Sequence, residues 1–271
     1  MSSILITGAA RGIGKDAAFA LAKRGHHVVA TAHIPEQAEA LRLLAEAENI
    51  KLQVAAFDIT QESDEARIFS DHSFDVLINN AAVGESGPMS EVPLEIVRAG
   101  FEVNVFSTLR LTQAFIRQLQ NNAGAVITLS SVAGRIVLPH LGPYHMTKFA
   151  LEAMHDALRM EMRPHNVRVH LIEPGYIATG FNERMYANKW RWLLPTSRFA
   201  ADFDRLKKFE RDLPNKEVPT TSVVEAIVRA VEDAKTPARL LAPASASWIP
   251  VVTKLVPTWL LDRIMRKAAG L

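Results

Sequence analysis

Cysteine is absent from the 271-residue sequence. This absence excludes disulfides, thiolate nucleophiles and cysteine-based metal sites. The formal net charge is only +2, with basic and acidic residues interspersed. Without a run of lysine and arginine, nothing in the sequence indicates a nucleic-acid-binding surface. Hydrophobic residues make up 48% of the chain, which is enough for the core of one large α/β domain or of two small ones.

A long uninterrupted hydrophobic run is absent as well. The longest mostly apolar stretch, residues 240–261, contains Lys254 and three prolines, Pro243, Pro250 and Pro257. These residues make it a poor transmembrane helix. The chain begins Met-Ser-Ser and passes directly into a strand-like run, without the basic start and cleavage site of a signal peptide. We therefore expect a cytoplasmic protein.

The N-terminal segment has the pattern of a nucleotide-binding βαβ unit. A strand, a glycine-rich turn, an amphipathic helix and a second strand follow one another over residues 4–7, 7–14, 15–25 and 27–32. The turn contains Gly8, Gly12 and Gly14, a spacing that differs from the common G-x-G-x-x-G. Glycines let the backbone approach a pyrophosphate, and the N-terminus of a helix favours its negative charge. The alternative is a glycine-rich turn that binds no ligand.

Strands and helices continue to alternate along the chain. Helices are predicted over residues 36–48, 65–72, 92–121 and 221–233, and strands over residues 51–58, 74–82, 125–131 and 238–242. This alternation predicts an α/β protein with a parallel, doubly wound sheet. Ligands of such sheets lie beyond the carboxyl ends of the strands. Gly8, Asp58, Asn79 and Ser131 all fall at such ends.

Tyr144 and Lys148 are the first candidates for chemistry. Together with Leu151 they have the i, i+4, i+7 spacing of one helical face, on which i and i+4 lie about 6 Å apart. A phenol with a pKa of about 10 is a poor acid–base catalyst at neutral pH. A nearby ammonium lowers that pKa and makes the phenol useful. Taken alone, the pair is also consistent with a buried phenol beside a surface lysine.

Several motifs, in order along residues 4–180, resemble those of the short-chain dehydrogenase/reductase family. They are TGAARGIG (7–14), Asp58, NNAA (79–82), Asn104, Ser131 thirteen residues before Tyr144, YHMTK (144–148) and PGYIAT (174–179). Ala82 departs from the family pattern, in which glycine is usual. The resemblance implies a Rossmann-type doubly wound parallel sheet of about seven strands with helices on both faces. It also implies a single domain over residues 1–271.

A role for each catalytic candidate follows from the resemblance. Tyr144 exchanges a proton with the substrate oxygen, while Lys148 lowers the pKa of Tyr144 and holds the nicotinamide ribose. Ser131 hydrogen-bonds the substrate oxygen and steadies its developing charge. Asn104 keeps a water near Lys148 for proton relay, and no metal is expected. The alternatives are structural: Ser131 as a strand-end cap and Asn104 as a helix residue that bonds backbone.

A nicotinamide nucleotide is the expected cofactor. The residues assigned to it are Gly8, Arg11, Gly12, Ile13, Gly14, His33, Asp58, Ile59, Asn80, Ala81, Tyr144, Lys148, Pro174, Gly175, Ile177 and Thr179. NAD-preferring enzymes place an acidic residue after the second strand, whereas Ala32 and His33 stand there in this chain. Arg11 is placed to reach a 2′-phosphate, with Lys15 as a weaker candidate. We therefore predict NADP(H), with NAD(H) as the alternative.

Residues 176–215 are predicted to form the substrate-covering lobe. The segment is rich in large apolar residues, namely Tyr176, Phe181, Met185, Tyr186, Trp190, Trp192, Leu193, Leu194, Phe199 and Phe203. In the family the corresponding segment covers the substrate. Its composition predicts a hydrophobic carbonyl or alcohol, such as a steroid, a retinoid or an aromatic compound. The alternative is an ordinary amphipathic helix pair that packs on the core.

Residues 247–271 form a hydrophobic C-terminal extension. Trp259, Leu260, Ile264 and Met265 can share one helical face, with basic residues near the other. We predict that this extension caps the pocket or docks on a neighbouring subunit, and contact with a membrane surface is the less favoured alternative. By analogy with the family, a homodimer or homotetramer is expected, formed through the helices that match residues 92–121 and 142–163.

An NADP(H)-dependent oxidoreductase is the first functional hypothesis. A nucleotide-sensing or scaffold protein without activity is the alternative from another class, although Ser131, Tyr144 and Lys148 are all present. A sugar-nucleotide epimerase is disfavoured, because its glycine loop has a different spacing and its substrate domain needs more chain. Three histidines, His140, His145 and His155, have neither a carboxylate partner nor a metal-ligand spacing. We interpret them as structural or surface residues.

Overall fold

A computed structural model describes residues 1–246, 255–269 and 271. Its sheet consists of β1 (Ser3–Ile6), β2 (His27–Ala32), β3 (Gln53–Ala56), β4 (Val76–Asn79), β5 (Ala125–Leu129), β6 (Arg168–Pro174) and β7 (Arg239–Ala242). The strands run in the order β3-β2-β1-β4-β5-β6-β7, and each neighbouring pair is parallel. The predicted doubly wound α/β fold is thereby confirmed. Its topological switch point, where ligands of such sheets bind, lies between β1 and β4.

Helices connect and cover these strands. They are α1 (Gly12–Lys23), α2 (Pro35–Ala47), α3 (Glu62–Asp71), α4 (Leu94–Phe101), α5 (Thr108–Asn121), α6 (Gly142–Met162), α7 (Phe181–Asn188), α8 (Phe203–Asp212), α9 (Thr221–Glu232) and α10 (Thr258–Ala268). Most bounds lie within a few residues of the sequence-based ones. The first helix begins at Gly12 and not at Lys15, because the second half of the glycine loop forms its first turn.

The long helix predicted over residues 92–121 is not continuous. A π-helical segment, Glu102–Ser107, separates α4 from α5. In such π segments each hydrogen-bonded turn contains one residue more than in an α-helix, and they occur frequently at functional sites. Asn104, a catalytic candidate, lies within this segment. Helix α6, the other long helix beside the site, begins at Gly142 because Pro143 fits the first helical turn, where a missing N–H costs nothing.

The core has one apolar layer on each face of the sheet. Successive strand residues point to opposite faces, so Ile4 and Ile6 belong to one layer and Leu5 to the other. The first layer includes the apolar faces of α1 and α9, and the second includes that of α5. Because both faces of the sheet are covered, the central strands are apolar throughout. The rigid sheet therefore holds its carboxyl-end loops in fixed positions.

A buried cluster of charges joins β6, α6 and β7. Glu173 accepts hydrogen bonds through Oε1 from Arg135 Nη2 at 2.8 Å and from Arg239 Nη1 at 2.7 Å. Glu152 pairs with both arginines and accepts a hydrogen bond from Ser130 Oγ at 2.6 Å. Burial is the main cause that raises the pKa of Glu152, and the hydrogen bonds from Ser130 and Arg239 oppose it. The arginines thus compensate two carboxylates that are removed from water.

The described part of the C-terminal extension consists of residues 255–269 and 271; residues 247–254 of the predicted extension lie outside the described residues. Met265 of α10 packs against the apolar cluster that contains Tyr144, whereas Trp259 is 69% exposed. These two residues therefore face different ways, contrary to the shared face that the sequence allowed. Within the described ranges, no helix combines the length and the hydropathy needed to cross a membrane.

Candidate active site

The turn between β1 and α1 depends on its glycines for its conformation and its close packing. Gly8 and Gly12 have φ of +66° and +56°, a left-handed conformation that favours glycine. A Cβ on Gly14 would lie 2.5 Å from Asn80 Nδ2 and 2.6 Å from the carbonyl oxygen of Gly8. Asn80 secures the turn by donating hydrogen bonds to the carbonyl oxygens of Thr7 and Gly8, at 2.8 and 2.9 Å. The glycines thus let the backbone pack closely at the N-terminus of α1, where the N–H groups of a helix favour the pyrophosphate of a dinucleotide.

A cavity of about 890 Å³ extends from this turn along the carboxyl edge of the sheet. All of the residues that the sequence assigned to the cofactor line it, from the glycine loop through Pro174 and Thr179. Ser131 lines it as well, whereas Asn104 lies outside its wall. The cavity is at the upper end of the size range of small-molecule and cofactor sites. The sheet order therefore brings the candidate catalytic and nucleotide-binding residues to one place.

Tyr144 and Ser131 lie side by side in the buried part of this cavity. Tyr144 is on the first turns of α6, and its ring packs at 5.6 Å, centroid to centroid, from that of Phe181. Ser131 follows β5, where its Oγ accepts a hydrogen bond from the Ala133 N–H at 3.1 Å and donates one to the Pro174 carbonyl oxygen at 3.3 Å. Ser131 is therefore a local cap, as the structural alternative proposed, and also a hydroxyl on the wall of the cavity.

Lys148 is buried one helical turn after Tyr144. Its Nζ donates a hydrogen bond to the Leu129 carbonyl oxygen at 2.8 Å and lies 5.6 Å from the centroid of the Tyr144 ring. Burial lowers the pKa of Lys148 to about 8, and the charge of Glu152 opposes this shift. The lysine is thus a buried cation with a titration point close to neutral pH, and the alternative of a surface lysine is wrong.

The pKa of Tyr144 differs in direction from the sequence-based expectation. Burial raises it above its ordinary value, and a hydrogen bond with Ser131 only partly opposes that rise. The physical reason is that a phenolate loses its hydration when the whole side chain is buried. The ammonium of Lys148 points to the end of β5 and does not outweigh this loss. In this structure Tyr144 is therefore a protonated group, the form that an acid requires.

Asn104 uses its amide to fasten neighbouring backbone. Its Oδ1 accepts a hydrogen bond from the Val83 N–H at 2.8 Å, and its Nδ2 donates to the Val83 carbonyl oxygen at 2.9 Å and to Thr147 Oγ1 at 3.0 Å. Asn104 thus joins the π-helical segment to the loop after β4 and to α6, next to Lys148. These contacts match the structural alternative for its side chain, because the amide bonds the backbone of Val83.

His33 and Asp58, both assigned to the cofactor, come together on the cavity wall. Asp58 accepts hydrogen bonds through Oδ1 from the N–H and the hydroxyl of Thr60, at 2.9 and 2.8 Å. His33 is exposed, and its Nε2 lies 3.7 Å from Asp58 Oδ2. Arg11 reaches the same cavity from the glycine loop. Lys15, the weaker candidate for a phosphate contact, forms an ion pair with Asp16 at 3.1 Å.

Comparison with known proteins identifies the family to which the chain belongs. The sequence model of the family described as short chain dehydrogenase matches residues 2–190. The chain belongs to the short-chain dehydrogenase/reductase family. A 37% identical relative, an uncharacterized oxidoreductase of Bacillus subtilis, aligns over 182 residues, which are 65% of this chain and 65% of the relative. The alignment with that relative therefore spans just under two thirds of its length.

Two further comparisons cover almost the whole chain. An NADPH-dependent 3-dehydrocapnine reductase of Ornithobacterium rhinotracheale is 30% identical over 281 residues, 98% of this chain and 97% of that protein. A short chain dehydrogenase of Burkholderia cenocepacia, solved in complex with NADP, superimposes with a TM-score of 0.73 at 26% identity and 97% coverage of both chains. The protein is thus a short-chain dehydrogenase/reductase, an oxidoreductase of a family that binds NAD(P).

The apolar residues of segment 176–215, the predicted substrate-covering lobe, divide into two groups in this short-chain dehydrogenase. Tyr176, Phe181, Met185 and Tyr186 line the cavity near Tyr144. The others lie outside the cavity wall: Phe199 packs on His140, and Leu194 is 64% exposed. Among them, Trp190 and Phe203 pack edge to face at 5.0 Å, and Trp190 Nε1 donates a hydrogen bond to Glu210 at 2.8 Å.

Two glycines in the loop after β4 receive side chains of the lobe. A Cβ on Gly87 would lie 2.2 Å from the Trp192 ring, and one on Gly84 would lie 2.7 Å from Met185 Cβ. Ser86, between them, donates a hydrogen bond to the Met185 carbonyl oxygen at 2.7 Å. The lobe is therefore seated on this loop by fitted contacts, which place α7 over the cavity.

Sequence reasoning missed several residues of the cavity wall. Arg184 of α7 lines the cavity, and so do Glu85 and Arg191, which form an ion pair at 3.0 Å. No motif marks these positions, because they come from the lobe and from the loop that supports it. His140, His145 and His155, interpreted from the sequence as structural or surface residues, are all buried. His145, the one that lines the cavity, is held between the Ala133 carbonyl oxygen at 2.7 Å and the Leu138 N–H at 3.3 Å.

Proposed function

We propose that this protein is an NADP(H)-dependent oxidoreductase that interconverts a hydrophobic ketone or aldehyde and the corresponding alcohol. The observation that carries the proposal is that Ser131, Tyr144 and Lys148 line the same cavity as the glycine turn at the N-terminus of α1. When bound, nicotinamide supplies or accepts a hydride. The chain then has to position the substrate and move one proton.

Tyr144 moves that proton in the proposed reaction. Its raised pKa keeps it protonated, so it donates a proton to the oxygen of a carbonyl as that oxygen gains negative charge. Ser131, beside it, donates a hydrogen bond to the same oxygen. The buried setting strengthens both interactions, because little water competes for the developing charge. In the oxidative direction the phenolate form of Tyr144 accepts the proton of the alcohol.

Lys148 provides the positive charge of the site. With a pKa of about 8 it is mostly protonated at neutral pH. A cation within 6 Å of the phenol ring favours the phenolate that forms when Tyr144 gives up its proton. Lys148 also lies on the cavity wall between Tyr144 and the end of β5, where it can hold a ribose hydroxyl. Its neighbour Asn104 positions α6 by its bond to Thr147.

The preference for NADP(H) rests on the end of β2. No carboxylate follows this strand at the position of Ala32 and His33, so the usual acceptor for a ribose 2′-hydroxyl is missing there. Arg11 faces the same region of the cavity. The NADPH dependence of the Ornithobacterium relative and the NADP complex of the Burkholderia structure support the proposal. Comparing KM for NADPH and NADH tests it, and a preference for NADH would be evidence against it.

A hydrophobic substrate is supported by the wall around Tyr144. On the substrate side the phenol is surrounded by Leu138, Leu141, Phe181 and Met185, all of which line the cavity. These groups provide apolar area and few hydrogen-bonding partners, so they favour a greasy carbonyl over a polar sugar. Screening steroid, retinoid, aromatic and sugar carbonyls with NADPH consumption as the readout distinguishes these classes. Higher activity on sugars would contradict this part of the proposal.

Homo-oligomerisation is proposed from exposed apolar residues on the helices beside the site. Leu94 of α4, Phe106 of the π-helical segment, and Met146 and Phe149 of α6 are each more than 40% exposed. A second copy of the chain would cover them. Light scattering of the purified protein is expected to give a dimer or a tetramer, and a monomer at micromolar concentration would contradict this expectation.

Met265 of α10 packs beside the pocket, which supports a capping role for the extension over a membrane role.

The variant Tyr144→Phe tests the proposed chemistry directly. Loss of the phenolic proton should reduce kcat by at least about 100-fold, the lower range for a general acid. Binding of NADPH, followed by the change in its fluorescence, should remain within a few-fold of the wild-type value. An active Tyr144→Phe enzyme would refute the mechanism. A wild-type protein that binds NADPH but reduces no carbonyl of the panel would favour the nucleotide-sensing alternative.

A further inference from the structure

Two arginines face the same cavity from opposite sides. Arg11 lies in the glycine loop, immediately before α1, and belongs to the rigid part of the fold. Arg184 lies on α7, in the lobe that covers the cavity. Both line the cavity wall. The first arginine was expected to bind the cofactor, whereas the second is at a position that no motif marks.

A short chain of contacts connects the two arginines. Gly12, next to Arg11, packs against Thr179: a Cβ on this glycine would lie 2.8 Å from Thr179 Cβ. Thr179 is followed by Gly180, whose φ of +69° turns the chain into α7. A Cβ on Gly180 would lie 2.8 Å from Nη1 of Arg184, so the guanidinium group folds back over this turn. The side chain of Arg184 is thus directed from α7 towards the glycine loop.

Within the described ranges, neither guanidinium group makes an ion pair or a hydrogen bond. Other cations of the cavity region do have such partners, since Arg191 pairs with Glu85 and Lys15 pairs with Asp16. The pKa of Arg184 is lowered, first by burial and then by the charge of Arg11, while the neighbouring Glu183 opposes these effects. Two like charges are therefore held close enough to repel each other.

We infer that Arg11 and Arg184 hold one phosphate group of the cofactor between them, and that Arg184 is the residue through which α7 engages the nucleotide. This inference rests on the proposed function. An anion placed between two guanidinium groups converts their repulsion into two charge-assisted hydrogen-bonding interactions. Because one group belongs to the glycine loop and the other to the lobe, the same anion ties α7 down over the site.

The shared chemistry is a phosphate group, and the cofactor has two sources of it. The diphosphate is present in both NADPH and NADH, whereas the 2′-phosphate is present only in NADPH. The contact of Thr179 with Gly12 brings Arg184 close to the N-terminus of α1, where a diphosphate is expected. Parallel measurements with NADPH and NADH distinguish these sources.

The test is nucleotide binding by the full-length protein carrying Arg184→Gln, measured by calorimetry or nucleotide fluorescence without substrate. The Kd should rise about 10- to 100-fold, the usual effect of losing a charge-assisted hydrogen bond. The Kd of Arg184→Lys, which keeps the charge without the planar fork, should fall between those of the wild type and Arg184→Gln. The matched control is Arg205→Gln, which removes one arginine charge from α8, where the side chain is 68% exposed and outside the cavity. Its Kd should equal that of the wild type.

Thermal unfolding of the same proteins separates binding from folding. Without nucleotide, Arg184→Gln should be at least as stable as the wild type, because it removes a repulsion. Its stabilisation by added NADPH should be smaller. Equal losses for NADPH and NADH assign the diphosphate, and a loss confined to NADPH assigns the 2′-phosphate.

Two outcomes would reject different conclusions. Wild-type affinity for both nucleotides in Arg184→Gln would overturn the inference and leave the proposed function intact. A wild-type protein that binds neither nucleotide would instead reject the proposed function.

Discussion

Replacing Arg239 with methionine removes the cation that ties β7 to the buried carboxylates. Glu173 is 1% exposed and Glu152 is 7% exposed, and both use Arg239 as a partner. Breaking a buried ion pair from one side costs about 3–5 kcal/mol. Because Arg135 still contacts both carboxylates, we expect the lower end of this range, about 3 kcal/mol. For a chain of this size the corresponding fall in Tm is about 6–12 °C.

The dependence of this cost on pH provides a second test of the reasoning. The pKa of Glu152 is already raised by burial in the folded protein, and loss of Arg239 should raise it further. A carboxyl with a raised folded pKa binds its proton more tightly in the folded than in the unfolded state. Its contribution to stability is therefore full at low pH and is lost as pH rises through the folded pKa. The destabilisation by Arg239→Met should consequently be smaller at pH 5.5 than at pH 8.

Urea unfolding at both pH values measures these quantities. The double variant Arg239→Met with Glu173→Gln should recover part of the lost stability, because it removes one of the carboxylates left without its partner. Arg205→Met is the control, since this exposed side chain lies 3.9 Å from Asp202 and should contribute less than about 0.5 kcal/mol. Equal stability of Arg239→Met and the wild type at pH 8, or a cost that does not change with pH, would refute the account.

The other predictions concern the site. Gly14→Ala should weaken NADPH binding measured by fluorescence and lower Tm, because its Cβ would lie 2.5 Å from Asn80 Nδ2; wild-type binding would contradict this. Glu152→Gln should move the alkaline limb of NADPH binding, set by Lys148 near pH 8, to lower pH by about 0.5–1 unit, since the lost charge helps to keep that lysine protonated; an unmoved limb would argue against it. Phe181→Ala should raise KM for a hydrophobic ketone more than it lowers kcat, since the ring lines the cavity; unchanged KM in steady-state assays would exclude this contact.

Most of the fold could be predicted because its signals are local. Apolar strands alternate with amphipathic helices, and the glycine turn lies between β1 and α1, so periodicity and spacing alone indicate the doubly wound sheet. The π-helical segment around Asn104 could not be foreseen in this way. Asn104 in this segment contacts Val83 and Thr147, which are distant in the sequence and leave no local signal.

The candidate site shows the same division. Its cofactor half lies in motifs, and each of those residues lines the cavity. Its covering half depends on how the lobe folds: Tyr176 and Phe181 face the cavity, while Trp190 and Phe203 pack with each other. Composition alone does not distinguish the two residues that face the cavity from the two that pack with each other. The direction of the Tyr144 pKa was missed for a related reason, since spacing places a lysine nearby but does not show how deeply both side chains are buried.

The glycines that receive the lobe have a consequence for changing the substrate of this enzyme. Trp192 and Met185 fill spaces that exist only because Gly87 and Gly84 have no side chain, so altering either large residue would loosen the lobe as a whole. Tyr176 also lines the cavity, and substitutions there alter its wall. A mutant library aimed at new carbonyl compounds should therefore vary such wall positions. It should leave both members of each glycine and large-residue pair unchanged.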